Sequence, residues 1–351
     1  MKDIKKRATI KDIAEKTGVS VATVSNVING INKVSDDTKR LILNTMEEMD
    51  YKPNLIARSL TNRYSNMIGL LLPITETGSD ASLLLKENPF YGELISGAEY
   101  KATELDYDIL IKGVRPGQSC RDWIIKRNLD GAIFIGNYTV VISEEMKKLG
   151  SELVLMDAYD DGTKLHHSIG IDDRQGGYLA TKYLLELGHR NIAIAASNIM
   201  VDGAIYRRFL GYKSALSEYG ITADGHWIFQ DALTFEGGYR TGLNILKSRE
   251  KISAVFAVAD AVAFGIIKAF YDQGKQIPKD LSIVGFDDTK GCEYNNPGLT
   301  SVHQPIYEKG IVAVETIIDA IRRKTSETKH IMLPVELKLR KSAMEYMEYN
   351  D

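Results

Sequence analysis

Thr9–Gly30 reads TIKDIAEKTGVSVATVSNVING, and this stretch decides what the front of the chain is. Thr9 suits the cap of a helix, with Asp12 three residues on, a variant of the capping box. Ile10, Ile13 and Ala14 fall at i, i+3 and i+4, so they share one helical face. Gly18 stands where a left-handed residue ends a helix, and Val19 follows as a core residue. Ser20 then caps a second helix, in which Val24, Val27 and Ile28 repeat the spacing, and Asn29-Gly30 closes it. Two short helices joined by a tight turn containing glycine form a helix-turn-helix. With Val24, Val27 and Ile28 turned inward, Val21, Ala22, Ser25 and Asn26 remain outside. Ala22 and Asn26, four apart, face the same way.

A second helix so presented lies in the major groove with its N-terminal residues on base edges. The Asn26 amide can pair two-pronged with adenine, and the methyl groups of Val21 and Ala22 can meet a thymine methyl. Ser20, Thr23, Ser25 and Asn29 suit phosphate contacts, which set register without reading sequence. Thr9, at the head of the first helix, joins this DNA-binding set. A helical hairpin with a merely solvated outer face would show the same pattern, so the second observation is charge. Residues 1–63 hold 12 Lys/Arg against 8 Asp/Glu, giving +4, and the remainder holds 32 against 39, giving −7. A basic front on an acidic body fits a nucleic-acid head whose body is repelled from phosphates.

Beyond the head, residues 52–66 are polar and contain Pro53, as a linker does. From Asn66 onward, β-branched apolar runs alternate with amphipathic helical stretches. Strands are expected over 67–72, 107–111, 131–136, 152–156, 191–195, 254–258 and 281–286. Helices are expected over 91–105, 176–187, 206–219, 237–247 and 262–273. This alternation predicts parallel, doubly wound sheets. With 351 residues, 44% hydrophobic and 26% charged, there is enough chain for two such units. Ligands of open α/β sheets bind beyond the carboxyl ends of the strands.

The string T-I-x-D-I-A-x-x-x-G-V-S-x-A-T-V-S-x-V-I-N-G resembles the head of the LacI/GalR family of bacterial repressors. Ser35-Asp36-Asp37-Thr38 would cap that family's third helix, running to about Met49. Tyr51-Lys52-Pro53-Asn54 and Ile56-Ala57-Arg58-Ser59-Leu60 are similar to its hinge. N-P-F-Y at 88–91, D-G-A-I at 130–133, L-G-H-R-N-I at 187–192, V-G-F-D-D at 284–288 and L-T-S-V-H-Q-P at 299–305 are similar to its core. The resemblance implies a small all-α helix-turn-helix head over 8–52 and a hinge over 53–65. It implies an α/β periplasmic-binding-protein-like core over 66–343. The core divides into an N-subdomain (66–168 and 298–328) and a C-subdomain (169–297 and 329–343).

Function follows as expectation. A homodimer would bind a palindromic double-stranded operator, two heads on two half-sites. A hinge helix of about two turns is marginal alone. The resemblance places Arg58 on DNA and makes Leu60 a wedge between central base pairs, which costs a few kcal/mol of unstacking and gains a bent duplex. Linker packing is the other role open to Leu60. A small-molecule effector, a sugar or sugar derivative, would sit in the core. Phe90 and Tyr91 open the first core helix. Asp157, Asp260 and Asp287 follow strand ends, and Phe235 precedes Gly237-Gly238. Arg208 matches the arginine that binds effector in relatives. Carboxylates and an arginine take sugar hydroxyls, and aromatic faces cover a pyranose. Asp260 and Asp287 could instead cap helices, Arg208 could pair with a surface acid, and Phe90 and Phe235 could be plain core. Three departures bear on which effector fits: Ala259 where relatives carry Asn, a long loop over 75–87, and a short stretch over 113–122.

The remaining classes are disfavoured. The two cysteines, Cys120 and Cys292, make neither metal spacing nor disulfide framework. There is no phosphate loop, dinucleotide fingerprint or nucleophile elbow. No enzyme, cofactor or metal is expected. The start shows no export leader, which argues against a transport-type sugar-binding protein, and no apolar run approaches the roughly 20 residues a membrane span needs. A cytoplasmic protein is expected. The tail 344–351 lacks the leucine heptad by which the family's tetramers assemble, so the resemblance implies a dimer. A phosphoprotein or nucleobase effector remains the alternative within the class.

Overall fold

The computed structural model describes residues 8–28, 34–51, 64–74, 85–115, 118–136, 144–145, 148, 151–159, 165–200, 203–249, 251–323 and 327–347. The chain divides into two compact units, Met1–Ser65 and Asn66–Asp351. Asn29, Arg58, Leu60, the hinge up to residue 63 and most of the 75–87 loop lie outside the described residues.

In the first unit, α1 (Ile10–Thr17) starts where the capping box predicts. The Thr9 side chain accepts from the Asp12 amide, and Asp12 accepts from the Thr9 amide at 2.7 Å. Gly18, at φ 70°, takes the left-handed end position, and its N–H caps the carbonyls of Ala14 and Glu15. Helix α2 (Val21–Ile28) follows, with Ser20 accepting from the Thr23 amide at 3.1 Å. Helix α3 (Asp36–Glu48) is capped by Ser35. Ile13, Ala14, Val24, Val27 and Ile42 form the buried centre, with Ile10, Val19, Ile28, Met46 and Tyr51 around it. Every apolar i, i+3, i+4 residue thus meets its counterpart in one small core.

The second unit holds two six-stranded sheets. The first runs β11-β5-β4-β3-β1-β2 and is parallel throughout. Its strands are β1 (Met67–Pro73), β2 (Asp108–Val114), β3 (Gly131–Ile135), β4 (Glu152–Met156), β5 (His167–Ile171) and β11 (His330–Leu333). The second runs β12-β10-β9-β8-β6-β7, parallel except for β12. It contains β6 (Ile192–Ala196), β7 (Ile228–Gln230), β8 (Ala254–Ala257), β9 (Ser282–Asp287), β10 (Thr300–His303) and β12 (Glu336–Lys338). The central strands are buried along their whole length, which is why they read as continuous apolar runs. The doubly wound core is as expected.

The subdomain limits need correction. The chain leaves the first sheet after Ile171, not at 168, because β5 pairs with β4 and β11 and Asp172 caps the next helix, α6 (Asp173–Glu186). Strand β10, assigned in advance to the N-subdomain, pairs with β9 of the second sheet. The return to the first sheet comes at Gln304-Pro305, ahead of the helix Ile306–Arg323. Strand β11, assigned to the C-subdomain, pairs with β5 of the first sheet, and Pro334-Val335 makes the third crossing. A strand–helix alternation specifies elements but not which sheet a strand joins.

The remaining helices are α4 (Pro89–Glu104), α5 (Arg121–Arg127), α7 (Ala204–Glu218), α8 (Phe235–Lys247), α9 (Asp260–Asp272), α10 (Gly291–Tyr294) and α11 (Ile306–Arg323). Three pairs cross at glycines: α4–α11 at Gly97 and Gly310, α6–α7 at Gly177 and Gly211, α8–α9 at Gly238 and Gly265. A Cβ on Gly177 would lie 2.1 Å from the Arg208 carbonyl oxygen, and one on Gly211 would lie 2.0 Å from that of Arg174. Backbone therefore touches backbone. Among the described residues, no helix is long and apolar enough to cross a membrane.

Candidate functional site

In the head, the apolar side of α2 faces α1 and α3, and the opposite side faces solvent. Ser20, Val21 and Ala22 are exposed, and Thr23, Ser25 and Asn26 are partly so. Val21 is 41% exposed, on the side of α2 opposite the buried Val24 and Val27. Thr9 is also exposed, though both its cap bonds are made within α1. The outer face is therefore short, polar and methyl-bearing, with Asn26 one turn beyond Ala22.

In the core, the carboxyl ends of the two sheets meet in a buried polar chain. Asp157, just after β4, is at φ 52°, and both its oxygens accept from Lys309 Nζ, at 2.8 and 3.0 Å. Lys309 also donates to Gln304 Oε1 at 2.7 Å. Gln304 Nε2 donates to Asp287 Oδ1 at 2.6 Å, at the end of β9. Asp287 Oδ1 lies 3.7 Å from Arg208 Nη1. Arg208 Nε donates to Asp173 Oδ1 at 2.7 Å, Nη1 donates to the Val258 carbonyl at 2.6 Å, and the guanidinium lies 3.5 Å from the Phe286 ring centroid. The Tyr159 hydroxyl donates to the other Asp173 oxygen. The chain Asp157–Lys309–Gln304–Asp287–Arg208–Asp173–Tyr159 thus starts and ends two residues apart.

Burial sets the electrostatics. It works against the charge on Arg208, but Asp173 and then Asp287 outweigh it, and the guanidinium pKa is raised. Burial raises the Asp287 carboxyl, and Arg208 pulls it down without overcoming that push. Burial raises the Asp173 carboxyl in the same way, against the pull of Arg208, so both carboxylates facing the guanidinium are shifted upward. Beside Lys309, the buried Phe90 lies edge-on to Tyr91 at 5.2 Å, with Lys309 Nζ 5.7 Å from the Phe90 ring.

The structure thus brings together Phe90, Asp157, Arg208 and Asp287, with Tyr91 placed against the adjacent Phe90. Asp260 lies close enough to Asp287 to help raise its carboxyl, but it makes no hydrogen bond within the polar chain. That carboxylate, 1% exposed, accepts from the Thr289 amide at 2.7 Å, the Thr289 hydroxyl at 3.0 Å and Ser301 Oγ at 2.6 Å. It fastens the β9 and β10 ends instead. Phe235 opens α8 at 40% exposure, its carbonyl against Gly265 of α9. Asp173, Tyr159, Gln304 and Lys309 were missed. The Asp172-Asp173 doublet between strand and helix carried a signal for the first, and a lysine on the apolar stripe Ile306, Gly310, Ala313 for the last. A surface cavity of about 490 Å³ lined by Gln175, Tyr178, Lys182, Tyr183 and Leu337 shares no residue with the polar chain. Among the described residues, no group of three metal-ligating side chains converges.

A helix-turn-helix unit ahead of two crossed-over α/β sheets, with a charged seam at their strand ends, defines a ligand-responsive DNA-binding regulator. The chain belongs to the lacI family of bacterial regulatory proteins and is a sequence-specific transcriptional regulator. The model of that family matches residues 9–54, and a periplasmic binding protein-like domain matches residues 181–343. The ribose operon repressor of Haemophilus influenzae is 34% identical over 95% of this chain and 98% of its own length. Catabolite control protein A of Priestia megaterium is 33% identical, with the same coverage. Among solved structures, a complex of the regulator CelR with cellobiose matches with a TM-score of 0.71 and 26% identity, covering 96% of this chain and all of that one.

Proposed function

We propose that this chain is a cytoplasmic repressor, without catalytic activity, of a sugar or related metabolic operon. It acts as a homodimer on a palindromic operator, and a sugar-like effector at the Asp157–Asp287–Arg208 seam sets its DNA affinity. The observation that carries this is the seam. Two strand-end aspartates, one from each sheet, and an arginine stacked on Phe286 lie within a few hydrogen bonds of one another across the crossings. Carboxylates offer acceptors to hydroxyls, and Phe90 and Tyr91 add aromatic surface for an apolar sugar face. The names of the ribose repressor and the cellobiose complex support the same ligand class. For the DNA end, Asn26, Ala22 and Val21 are the residues that meet bases, and Ser20, Thr23 and Ser25 those that meet phosphate. An effector can move DNA affinity only by its differential affinity for two states of the core.

The test uses the full chain. A duplex is selected from a random pool, and its gel-shift midpoint is then measured against a panel of pentoses, hexoses, cellobiose and nucleobases. The expected result is a near-palindromic site retained at physiological salt, with at least one sugar shifting the midpoint. Absence of any preferred duplex would overturn the DNA end, and a nucleobase acting where no sugar does would overturn the effector class.

A further inference from the structure

Lys309 is the odd member of the buried seam. It lies on the first-sheet face of α11, between Ile306 and Gly310, and is 0% exposed. An ammonium has three donors and no acceptor. Here three acceptor atoms take them: both oxygens of Asp157 and Oε1 of Gln304, at 2.8, 3.0 and 2.7 Å. The ammonium is saturated, so Lys309 has nothing left to offer a ligand. It dictates something else. Because Lys309 only donates, the Gln304 amide must turn its oxygen toward it. The NH2 of Gln304 must then point the other way, and there it donates to Asp287 at 2.6 Å. Gln304 stands in the crossing from β10 of the second sheet to α11 of the first. Asp157 closes a strand of the first sheet, and Asp287 closes a strand of the second.

We infer that Lys309 is a positioning residue. By holding Asp157 and the Gln304 amide in one orientation, it sets the polarity of the hydrogen bonds across the crossing and the separation of the two strand-end carboxylates. That these carboxylates meet a ligand rests on the function proposed above; that Lys309 fixes the crossing does not. An equally buried lysine that only balanced the Asp157 charge would be dispensable once that charge was gone. The two roles therefore separate in a double variant.

The experiment is amide hydrogen exchange on the full chain without ligand, comparing the parent, Lys309→Met and Lys309→Met/Asp157→Asn. Met keeps the unbranched stem and removes the charge. In both variants the amides of Gln304, Lys309 and Asp157 should exchange about tenfold faster or more, while those of β6 stay within about twofold of the parent. If the double variant regains parental rates at these amides, or if Lys309→Met leaves them unchanged, the inference is overturned. Should Lys309→Met not fold, Gln304→Glu serves instead. It keeps an acceptor for Lys309 and sets a carboxylate against Asp287, so the same three amides should speed up; parental rates there would overturn the inference. A calorimetric titration of the parent with D-ribose and with cellobiose is run separately. A failure to bind would weaken the ligand proposal and leave the exchange result standing.

Discussion

At the scale of the residue, two side chains carry separable predictions. Asn26 is partly exposed on the outer side of α2, away from the buried Val24 and Val27. Asn26→Ala should therefore leave folding intact and weaken the selected operator by about 1–3 kcal/mol, with non-specific DNA nearly unaffected. Competition gel shifts with operator and scrambled duplex check this. His189 sits between Ser253 Oγ and the Met344 carbonyl, at 3.0 Å each, and joins the start of β6 to the C-terminal segment. Burial lowers its pKa below 6.5, and the bond to Met344 only partly opposes this. A lowered histidine binds fewer protons folded than unfolded, so its share of the stability is present above pH 6.5 and is lost as pH falls below it. The buried carboxyls Asp260 and Asp287 are raised, and their shares run the other way, lost as pH rises. The useful comparison is therefore variant against parent: His189→Gln should lose less stability than the parent between about pH 7 and about pH 5.5, in urea unfolding at both values.

At the scale of the element, the helix crossings are the most constrained feature. Gly177 of α6 meets the backbone of α7 at Arg208 itself, where a methyl would come within 2.1 Å of the carbonyl oxygen. Backbone cannot rotate away as a side chain can. Gly177→Ala should destabilise the core by about 1–3 kcal/mol and displace Arg208 from Asp173 and Asp287. Thermal unfolding gives the first effect, and loss of the sugar response in the gel shift gives the second. The elements themselves were largely legible. Long buried strands such as β4 and β9 announce themselves as apolar runs, and Thr9, Gly18 and Ser20 mark the ends of the head helices. The short strands were not legible. β7, β11 and β12 lie at sheet edges, half exposed, and three or four residues without a fully buried face make no period to read. β5 and β10, also absent from the expected strands, are interior but only five and four residues long and carry His and Ser or Thr among their apolar residues. The site was legible in part for a similar reason. Asp157 and Asp287 follow central strands, so the rule about strand carboxyl ends finds them. Asp260 obeys the same rule, yet Thr289 and Ser301 take its oxygens, and no local pattern distinguishes the two outcomes. Lys309 contributes from a helix on the far side of a crossing that the sequence does not mark.

At the scale of the whole molecule, the two units have separate hydrophobic centres. The head's is built on Ile13, Val24 and Ile42, and those of the core are built on its two sheets. A centre of five buried residues belongs to the size range in which stability is marginal and single contacts are a large fraction of the total. Calorimetry of the full chain without DNA should then show two transitions, the smaller at lower temperature. Thr9 caps α1 through a reciprocal pair with Asp12, so Thr9→Ala should cost the head about 1 kcal/mol. That should lower the small transition by several degrees and leave the large one in place, whereas Gly177→Ala should do the reverse. The pattern matters for the regulator. A head near its threshold is ordered most firmly when DNA binds it, because a ligand of the folded form alone adds to its stability by mass action. Operator duplex should accordingly raise the small transition, and by less for Asn26→Ala than for the parent at equal DNA concentration. A single cooperative transition, or one in which Thr9→Ala moves both peaks together, would show that head and core unfold as one body.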